Sequence, residues 1–297
     1  MAPETGIRSA GDDKTLAGIL RLSTGYLQQR GVPSPRLEAE LLLGHCLRLS
    51  RLQLYLEFER PLEEGELARL RELLRVRASG RPLAYIVGNR EFLGRAFLVS
   101  ESVLIPRPET EELVQLAIIR AAPMDHPASV LDLGCGSGCI GISIAAEVPE
   151  SRVDLVDLEP EAVRLTRANA ELLGLDQRCN AFEGSWAEPV LGRGPYQLVV
   201  SNPPYVTSSE CLTLDRTVRD FEPRLALDGG LDGLAAYRSL LPALGTLMDR
   251  PSLVLLECDP RRIHEVAELC RRLWPDGELT CHKDLSYRER ILEVSLR

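Results

Sequence analysis

The sequence predicts an α/β protein in which a small bundle of short helices precedes a mostly parallel sheet with helices on both faces. Three observations carry that prediction. Over residues 15–79 apolar positions recur three and four apart, at Leu16, Ile19 and Leu20, then Leu37, Leu41 and Leu42, then Leu67, Leu70, Leu73 and Leu74, which is the period of buried helix faces. After residue 107 short β-like runs alternate with helical stretches, the pattern of βαβ units. The string VLDLGCGSGCIG at residues 130–141 runs an apolar strand into glycines and then into a helix, the strand-turn-helix of a ligand-binding α/β loop.

Taken in order, the helical text is broken at Gly31 with Pro33 and Pro35, at Pro61, and at Gly80 with Pro82, so it reads as several short helices. Residues 84–105 turn to short β-like runs around Gly88, Gly94 and Ser100, a hairpin joining two domains. Strands are then predicted over 129–133, 153–157, 180–183, 197–201 and 252–258, with helices near 109–121, 138–148, 161–173, 231–248 and 261–273. The organisation expected is a helical domain over 1–83, a β-hairpin connector over 84–106 and an α/β domain over 107–297. Residues 1–88 hold 13 basic and 11 acidic side chains, which leaves 22 and 33 for the remainder. The acidic character therefore lies in the second part.

Composition excludes several classes. With 44% hydrophobic and 27% charged residues the 297-residue chain sits near the averages of folded, water-soluble proteins. A net charge of -9 repels phosphate backbones and anionic membranes, so neither a nucleic acid nor a membrane is expected as a direct partner. The longest apolar runs, such as 253–256, fall far short of the roughly 20 residues that span a bilayer. The opening MAPETGIRSAGDDK lacks the apolar core of a signal peptide, and a cytoplasmic location is expected. Eight cysteines never form CxxC, and His45, His126, His264 and His282 stand singly; neither a metal site nor a disulfide framework is expected.

Two motifs carry chemistry. In the first, Gly134, Gly136 and Gly138 allow a sharp turn and a close approach of backbone to ligand, and the following helix presents free N–H groups. Gly136, Gly138 and Gly141 also satisfy the dinucleotide pattern GxGxxG, a weak match by itself. Asp132, just ahead of the glycines, is placed to pair with an ammonium group, which favours S-adenosylmethionine over a nicotinamide cofactor. Asp157 ends the next strand about 20 residues after the glycines, where a carboxylate accepts ribose hydroxyls; Asp154 and Glu159 compete for that role. The second motif is SNPPYV, at residues 201–206. Two prolines fix the backbone and remove two donors, so the Asn202 side-chain oxygen and the Pro203 carbonyl both face a substrate as acceptors. Their natural partner is a planar NH2 group, with the Tyr205 ring stacked on it. Such a site supplies orientation and electrostatics, not a general base.

These motifs, with RPLAYIVGNREFLGRAFLVSESVLIPRPETEELV at residues 81–114 and FEPRLALDGGLDGLAAYR at residues 221–238, make the chain resemble HemK/PrmC-type protein-(glutamine-N5) methyltransferases, which modify the glutamine of the GGQ tip of peptide chain release factors. The PRPETE and FEP segments are the more specific part of the likeness, because many methyltransferases share the glycine loop. The resemblance implies a Rossmann-like, seven-stranded S-adenosylmethionine-dependent domain. It also implies a helical domain that helps hold the release factor. It assigns cofactor binding to Gly134, Cys135, Gly136, Ser137, Gly138, Asp157, Trp186 and Asn202, substrate binding to Asn202, Pro203, Pro204 and Tyr205, and catalysis to Asn202, Pro203 and Tyr205.

The chain departs from the family pattern in two places. Asp259, Arg261 and Arg262 follow Glu257 where the family has a glycine and a glutamine, and DLSYRER at residues 284–290 keeps Asp284 and Arg290 but lacks a glycine. Arg107, Glu109 and Glu257 are further candidates to face the site. Cys135 and Cys139 are assigned no chemistry, being small apolar fillers. A monomer is expected. The rival readings are glutamine methylation of a ribosomal protein, amino-group methylation of a nucleic-acid base, and a non-catalytic cofactor-binding scaffold.

Overall fold

The computed structural model describes residues 14–124, 128–248 and 250–297. The opening residues 1–13, on which the signal-peptide reading rests, and His126 lie outside the described residues. The chain divides into two compact units, 1–87 and 88–297.

The first unit holds α1 (Leu16–Gln29), α2 (Pro35–Leu47), α3 (Arg51–Leu56), α4 (Glu64–Ala78) and α5 (Leu83–Val87). Thr15 starts α1 by accepting from Gly18 N–H, and Ser50 with Gln53 forms a capping box on α3, each satisfying N–H groups that a helix start leaves orphaned. Leu16, Leu20, Leu42, Leu43, Leu54, Leu67 and Leu70 make its core. The buried Glu40 carboxylate meets an upward push from burial, yet bonds from Arg36, Tyr55 and Arg51 hold it down at about 2. Residues 84–87, expected to begin the hairpin, are helical instead. Leu83 and Ile86 pack on the leucine core, and that burial, three residues apart, decides the conformation.

In the second unit, β1 (Asn89–Phe92) and β2 (Arg95–Leu98) form an antiparallel hairpin turning at Leu93 and Gly94, both with positive φ, as a two-residue hairpin turn requires. It clusters with the following α/β residues, not between the units. Next come α6 (Pro108–Ala121), β3 (Ser129–Leu133), α7 (Cys139–Glu147), β4 (Arg152–Asp157), α8 (Pro160–Leu172), β5 (Cys179–Glu183) and β6 (Leu198–Ser201). After them run α9 (Ser208–Cys211), α10 (Arg216–Arg219), α11 (Ala235–Leu244), β7 (Ser252–Glu257), α12 (Ile263–Leu273), β8 (Glu278–Lys283) and β9 (Glu289–Leu296).

The seven-stranded sheet has the order β5-β4-β3-β6-β7-β9-β8. The first five strands in that order are parallel; β9 runs antiparallel to both β7 and β8. Alternation along the strands sends Val130, Val153, Leu155, Leu198 and Val200 into the core shared with α6, α7 and α8, and Leu131, Leu133, Val199, Val254 and Leu256 into the core shared with α11 and α12. Two buried faces explain why these strands read as continuous apolar runs. The chain leaves β3 toward β4 on one side and returns to β6 on the other, so a crevice opens at the carboxyl ends of β3 and β6, where open α/β sheets bind ligands. No helix among the described residues is long and apolar enough to cross a membrane.

Candidate active site

A cavity of about 450 Å3 occupies that crevice, within the range of small-molecule and cofactor sites. One wall is the glycine loop. Gly134 and Cys135 N–H both donate to Val156 O, and Gly138 N–H donates back to Cys135 O, folding the loop over the end of β4. Gly138 has φ +78°, and a Cβ there would sit 2.7 Å from Ile142 Cδ1 and 2.9 Å from Thr166 Cγ2; only glycine fits. The loop is tied from outside as well. Thr166 Oγ1 donates to Gly136 O (2.9 Å) and the buried Asn169 side chain to Ser137 O (2.8 Å). Asn169 also exchanges both its amide groups with Leu98 of the hairpin. Nothing in the sequence pattern marked Asn169, because its partners lie 32 and 71 residues away.

Gly134, Cys135, Gly136 and Ser137 line the cavity, as do Asp157, Glu159, Trp186, Asn202 and Pro204; Gly138, Pro203 and Tyr205 adjoin these lining residues in sequence but are not among them. Asp157 Oδ2 accepts from Gly136 N–H (2.8 Å) and Oδ1 from Glu159 N–H (2.9 Å), so its carboxylate is oriented while keeping lone pairs on both oxygens. Burial raises its pKa against those bonds. Its rival Asp154 is engaged elsewhere, by Arg193, Tyr196 and Asn180. The Trp186 ring stands over Gly134, with Cζ3 3.8 Å from where a Cβ would be. Its backbone has φ +46°, the kind of strain that persists where the surroundings over-determine it.

Asp132 is a correction to the sequence reading. Odd positions of β3 face α11 and α12, so Asp132 faces α7, fully buried, and it does not line the cavity. Its Oδ2 accepts from Gly141 N–H (2.9 Å), while Oδ1 has no partner. Burial pushes the carboxyl up to about 7. The Cys139 thiol is likewise pushed up by burial, to about 12, in keeping with a packing role.

The opposite wall is built from the SNPPYV, PRPETE and FEP segments. Asn202 Nδ2 donates to Thr110 Oγ1 (3.2 Å), Thr110 Oγ1 donates to Glu257 Oε2 (2.7 Å), and the Tyr205 hydroxyl donates to Glu257 Oε1 (3.3 Å). Burial raises the Glu257 pKa. Arg107 lines the cavity and donates to the buried Glu222 (2.6 Å), whose other oxygen accepts from Ile105 N–H; Glu109 is exposed and does not line it. The glycines of the FEP segment lie directly against the proline motif. A Cβ on Gly229 would be 2.7 Å from Pro204 O, and one on Gly233, at φ +76°, 2.5 Å from Tyr205 O. The sequence offered Glu257 only as a possible site carboxylate and gave Thr110 and Glu222 no role.

The two departures from the family pattern are structurally resolved. Asp259 is buried and bonded by Arg261 and Arg262, both of which also reach Glu210. Tyr287, where the glycine is missing, stands at φ +61° with its ring exposed, while Asp284 keeps its bond from Arg290 (3.0 Å). Among the described residues, His264, Cys281 and Glu289 form a group with metal-ligating atoms within 4.8 Å of one another. They come from α12, β8 and β9, so their spacing in sequence did not announce them; none lines the cavity.

The strand order, the glycine loop and the proline motif at one crevice define a Rossmann-like methyltransferase. Residues 19–88 match the family model described as PrmC N-terminal domain, and residues 116–236 the methyltransferase small domain. The chain belongs to the release factor glutamine methyltransferase family. It is 44% identical to the release factor glutamine methyltransferase of Geobacter sulfurreducens, over 82% of this chain and 84% of that one, and 41% identical to that of Chlorobaculum tepidum, over 88% and 91%. Among solved structures, the hMettl16 catalytic domain in complex with MAT2A 3'UTR hairpin 6 superposes with a TM-score of 0.52 at 15% identity, covering 75% of this chain and 81% of that one. That likeness concerns the fold alone.

Proposed function

We propose that this protein transfers a methyl group from S-adenosylmethionine to the side-chain amide nitrogen of the glutamine in the GGQ motif of peptide chain release factors, in the cytoplasm. The observation that carries the reading is the pair of walls of one cavity: the glycine loop with Asp157 on one side, Asn202 and Pro204 on the other. The residues present fit the cofactor. The cavity volume suits a nucleoside-sized ligand, Asp157 stands at the strand end with acceptor capacity for ribose hydroxyls, and at Gly138 a Cβ would clash with Ile142 and Thr166, so the loop keeps the bare backbone that lets a ligand approach closely. When bound, S-adenosylmethionine supplies an electrophilic methyl group.

The protein's own contribution is positioning. An amide nitrogen is a poor nucleophile because its lone pair is delocalised; two acceptors, the Asn202 side-chain oxygen and the Pro203 carbonyl, hold its NH2 group and build up electron density on nitrogen. Tyr205 supports that wall through its hydroxyl bond to Glu257. Gly134 through Gly138, Asp157 and Trp186 take the cofactor. The first unit, close to charge neutrality, serves as the release-factor recognition module. The protein acts as a monomer, and without binding nucleic acid.

The test is transfer of labelled methyl to purified release factor, beside a GGQ-to-GGA release factor, ribosomal proteins and unmodified DNA. Label on the GGQ factor alone is expected. Label on a ribosomal protein or on DNA would replace the substrate, and cofactor binding without transfer to any acceptor would leave only a scaffold.

A further inference from the structure

Asn202 presents a choice that its shape alone does not make. The oxygen and nitrogen ends of a carboxamide are nearly isosteric, so which end faces the cavity is decided by its hydrogen-bond partners. Resting on the proposed amide-methylation reading, we infer that Thr110 and Glu257 are positioning residues which force the oxygen end of Asn202 toward the substrate.

Glu257, at the carboxyl end of β7, is 1% exposed and its carboxylate receives two hydroxyl donors, Thr110 at 2.7 Å and Tyr205 at 3.3 Å. Each of its two oxygens accepts one of these hydroxyls. Thr110, itself buried in the first turn of α6, has a single hydroxyl proton, and the short bond to Glu257 takes it. Toward Asn202 the same oxygen is left with lone pairs, so it accepts, and Asn202 must offer its NH2, as the 3.2 Å contact from Nδ2 records. Among the described residues nothing donates to Asn202 Oδ1. That atom is the acceptor left for the substrate.

The three residues come from sequence segments 55 to 147 residues apart, yet the register Ser201 opposite Leu256 sets Asn202 and Glu257 side by side at the ends of β6 and β7. The relay therefore sets specificity as well as rate. A glutamine NH2 donates to Oδ1, whereas a glutamate carboxylate in the same place meets an acceptor. Without the relay the Asn202 amide can turn either end to the cavity, and the distinction fades.

The experiment uses the full-length protein, S-adenosylmethionine, and two peptides that differ only in GGQ against GGE. It reads kcat and KM on the first, the inhibition constant of the second, cofactor affinity and the thermal midpoint. For Thr110→Val, kcat/KM on the glutamine peptide should fall about tenfold to a hundredfold, the consequence of leaving one buried polar partner unmatched. The loss should fall mainly on kcat, with the cofactor dissociation constant changed by less than about threefold, and the preference for GGQ over GGE should narrow by about tenfold. Thr110→Ser, which keeps the hydroxyl, should recover most of the rate. Glu257→Gln keeps the volume but can donate to Thr110, so it should narrow the same preference, and it carries the test should Thr110→Val not fold. Thr110→Val with wild-type kinetics, a loss confined to cofactor affinity, Thr110→Ser as poor as Thr110→Val, or an unchanged preference in both Thr110→Val and Glu257→Gln would each overturn the relay. A wild-type protein that does not label GGQ would instead refute the amide-acceptor reading, and the same variants would then be run on whichever acceptor takes label.

Discussion

Replacing Asp132 with Asn should make stability less dependent on pH between 5 and 8. Asp132 Oδ2 accepts from Gly141 N–H, a bond an Asn oxygen retains, while Oδ1 is buried without a partner. Burial raises its pKa from 3.8 to about 7; the Gly141 bond opposes the shift and the nearby Asp157 charge adds to it. The folded value is raised, so the carboxyl contributes fully at pH below about 4, where both states hold the proton. As pH rises the unfolded chain ionises first, and the wild type loses stability until the folded group ionises too, near 7. At 1.36 kcal/mol per pH unit, a shift of about three units is worth about 4 kcal/mol, of which about 3 falls between pH 5 and 7. Asn has no such dependence. The difference in stability between variant and wild type should therefore grow by about 3 kcal/mol across that window, or roughly 6–12 °C in Tm. Trp186 and Trp274 are the chain's two tryptophans and both lie in the second unit, so tryptophan fluorescence during thermal or urea unfolding reports that unit alone. Any mismatch of the Asn NH2 is independent of pH and cancels in the comparison. A variant-minus-wild-type difference that is the same at pH 5 and pH 8 would refute the reasoning.

Three other predictions rest on separate contacts. Asn202→Ala should abolish methyl transfer with cofactor affinity largely kept, and Asp157→Ala should weaken the cofactor first; binding measured by calorimetry beside single-turnover transfer separates the two, and equal loss of binding in both would contradict the assigned roles. Gly233→Ala puts a Cβ 2.5 Å from Tyr205 O at a positive φ, so it should lower stability by about 1–3 kcal/mol and transfer along with it, measured by urea unfolding and initial rates. Tyr287→Gly should raise stability by about 1 kcal/mol with unchanged kinetics, because the exposed ring contributes little and φ +61° suits glycine; an unchanged urea midpoint would contradict it.

How much of this was legible in the sequence depended on the range of the interactions involved. β3, β4, β6 and β7 were readable because two buried faces make them largely apolar, the edge strand β5 because it keeps the strand-helix rhythm, and the glycine loop because its conformational demands are local. β8 and β9 were not read from spacing: ELTCHK on β8 mixes polar and apolar residues, as an edge strand does, and its pairing with β9 is antiparallel and outside the βαβ rhythm. The helical turn Leu83–Val87 was missed because a tertiary core, not local propensity, decides it. Within the site the ligand-facing motifs were visible, yet the direction of Asp132 depended on which sheet face α7 covers. The partners of Asn202 and Asn169 lie far along the chain, and no local pattern encodes a contact at that range.

That division has a physical counterpart in the two walls of the cavity. The cofactor wall is made by β3, β4 and the loop between β3 and α7, held by backbone bonds to Val156 and by the side chains of Asp157, Thr166 and Asn169 from the adjoining β4 and α8; many α/β folds can build it, which is why the glycine pattern alone is weakly diagnostic. The acceptor wall needs three distant segments at once. Glu222 must reach Arg107 and Ile105, Gly229 and Gly233 must let their segment lie against Pro204 and Tyr205, and Thr110 must meet both Asn202 and Glu257. Each contact constrains the others, because the SNPPYV backbone is seated by the glycines while its Asn side chain is oriented from α6 and β7. Changes on the cofactor wall should therefore be separable into binding effects, whereas changes on the acceptor wall should couple, with double substitutions such as Thr110→Val with Gly233→Ala losing less than the product of the single losses. Multiplicative losses in kcat/KM for that pair would show that the two segments position the acceptor independently.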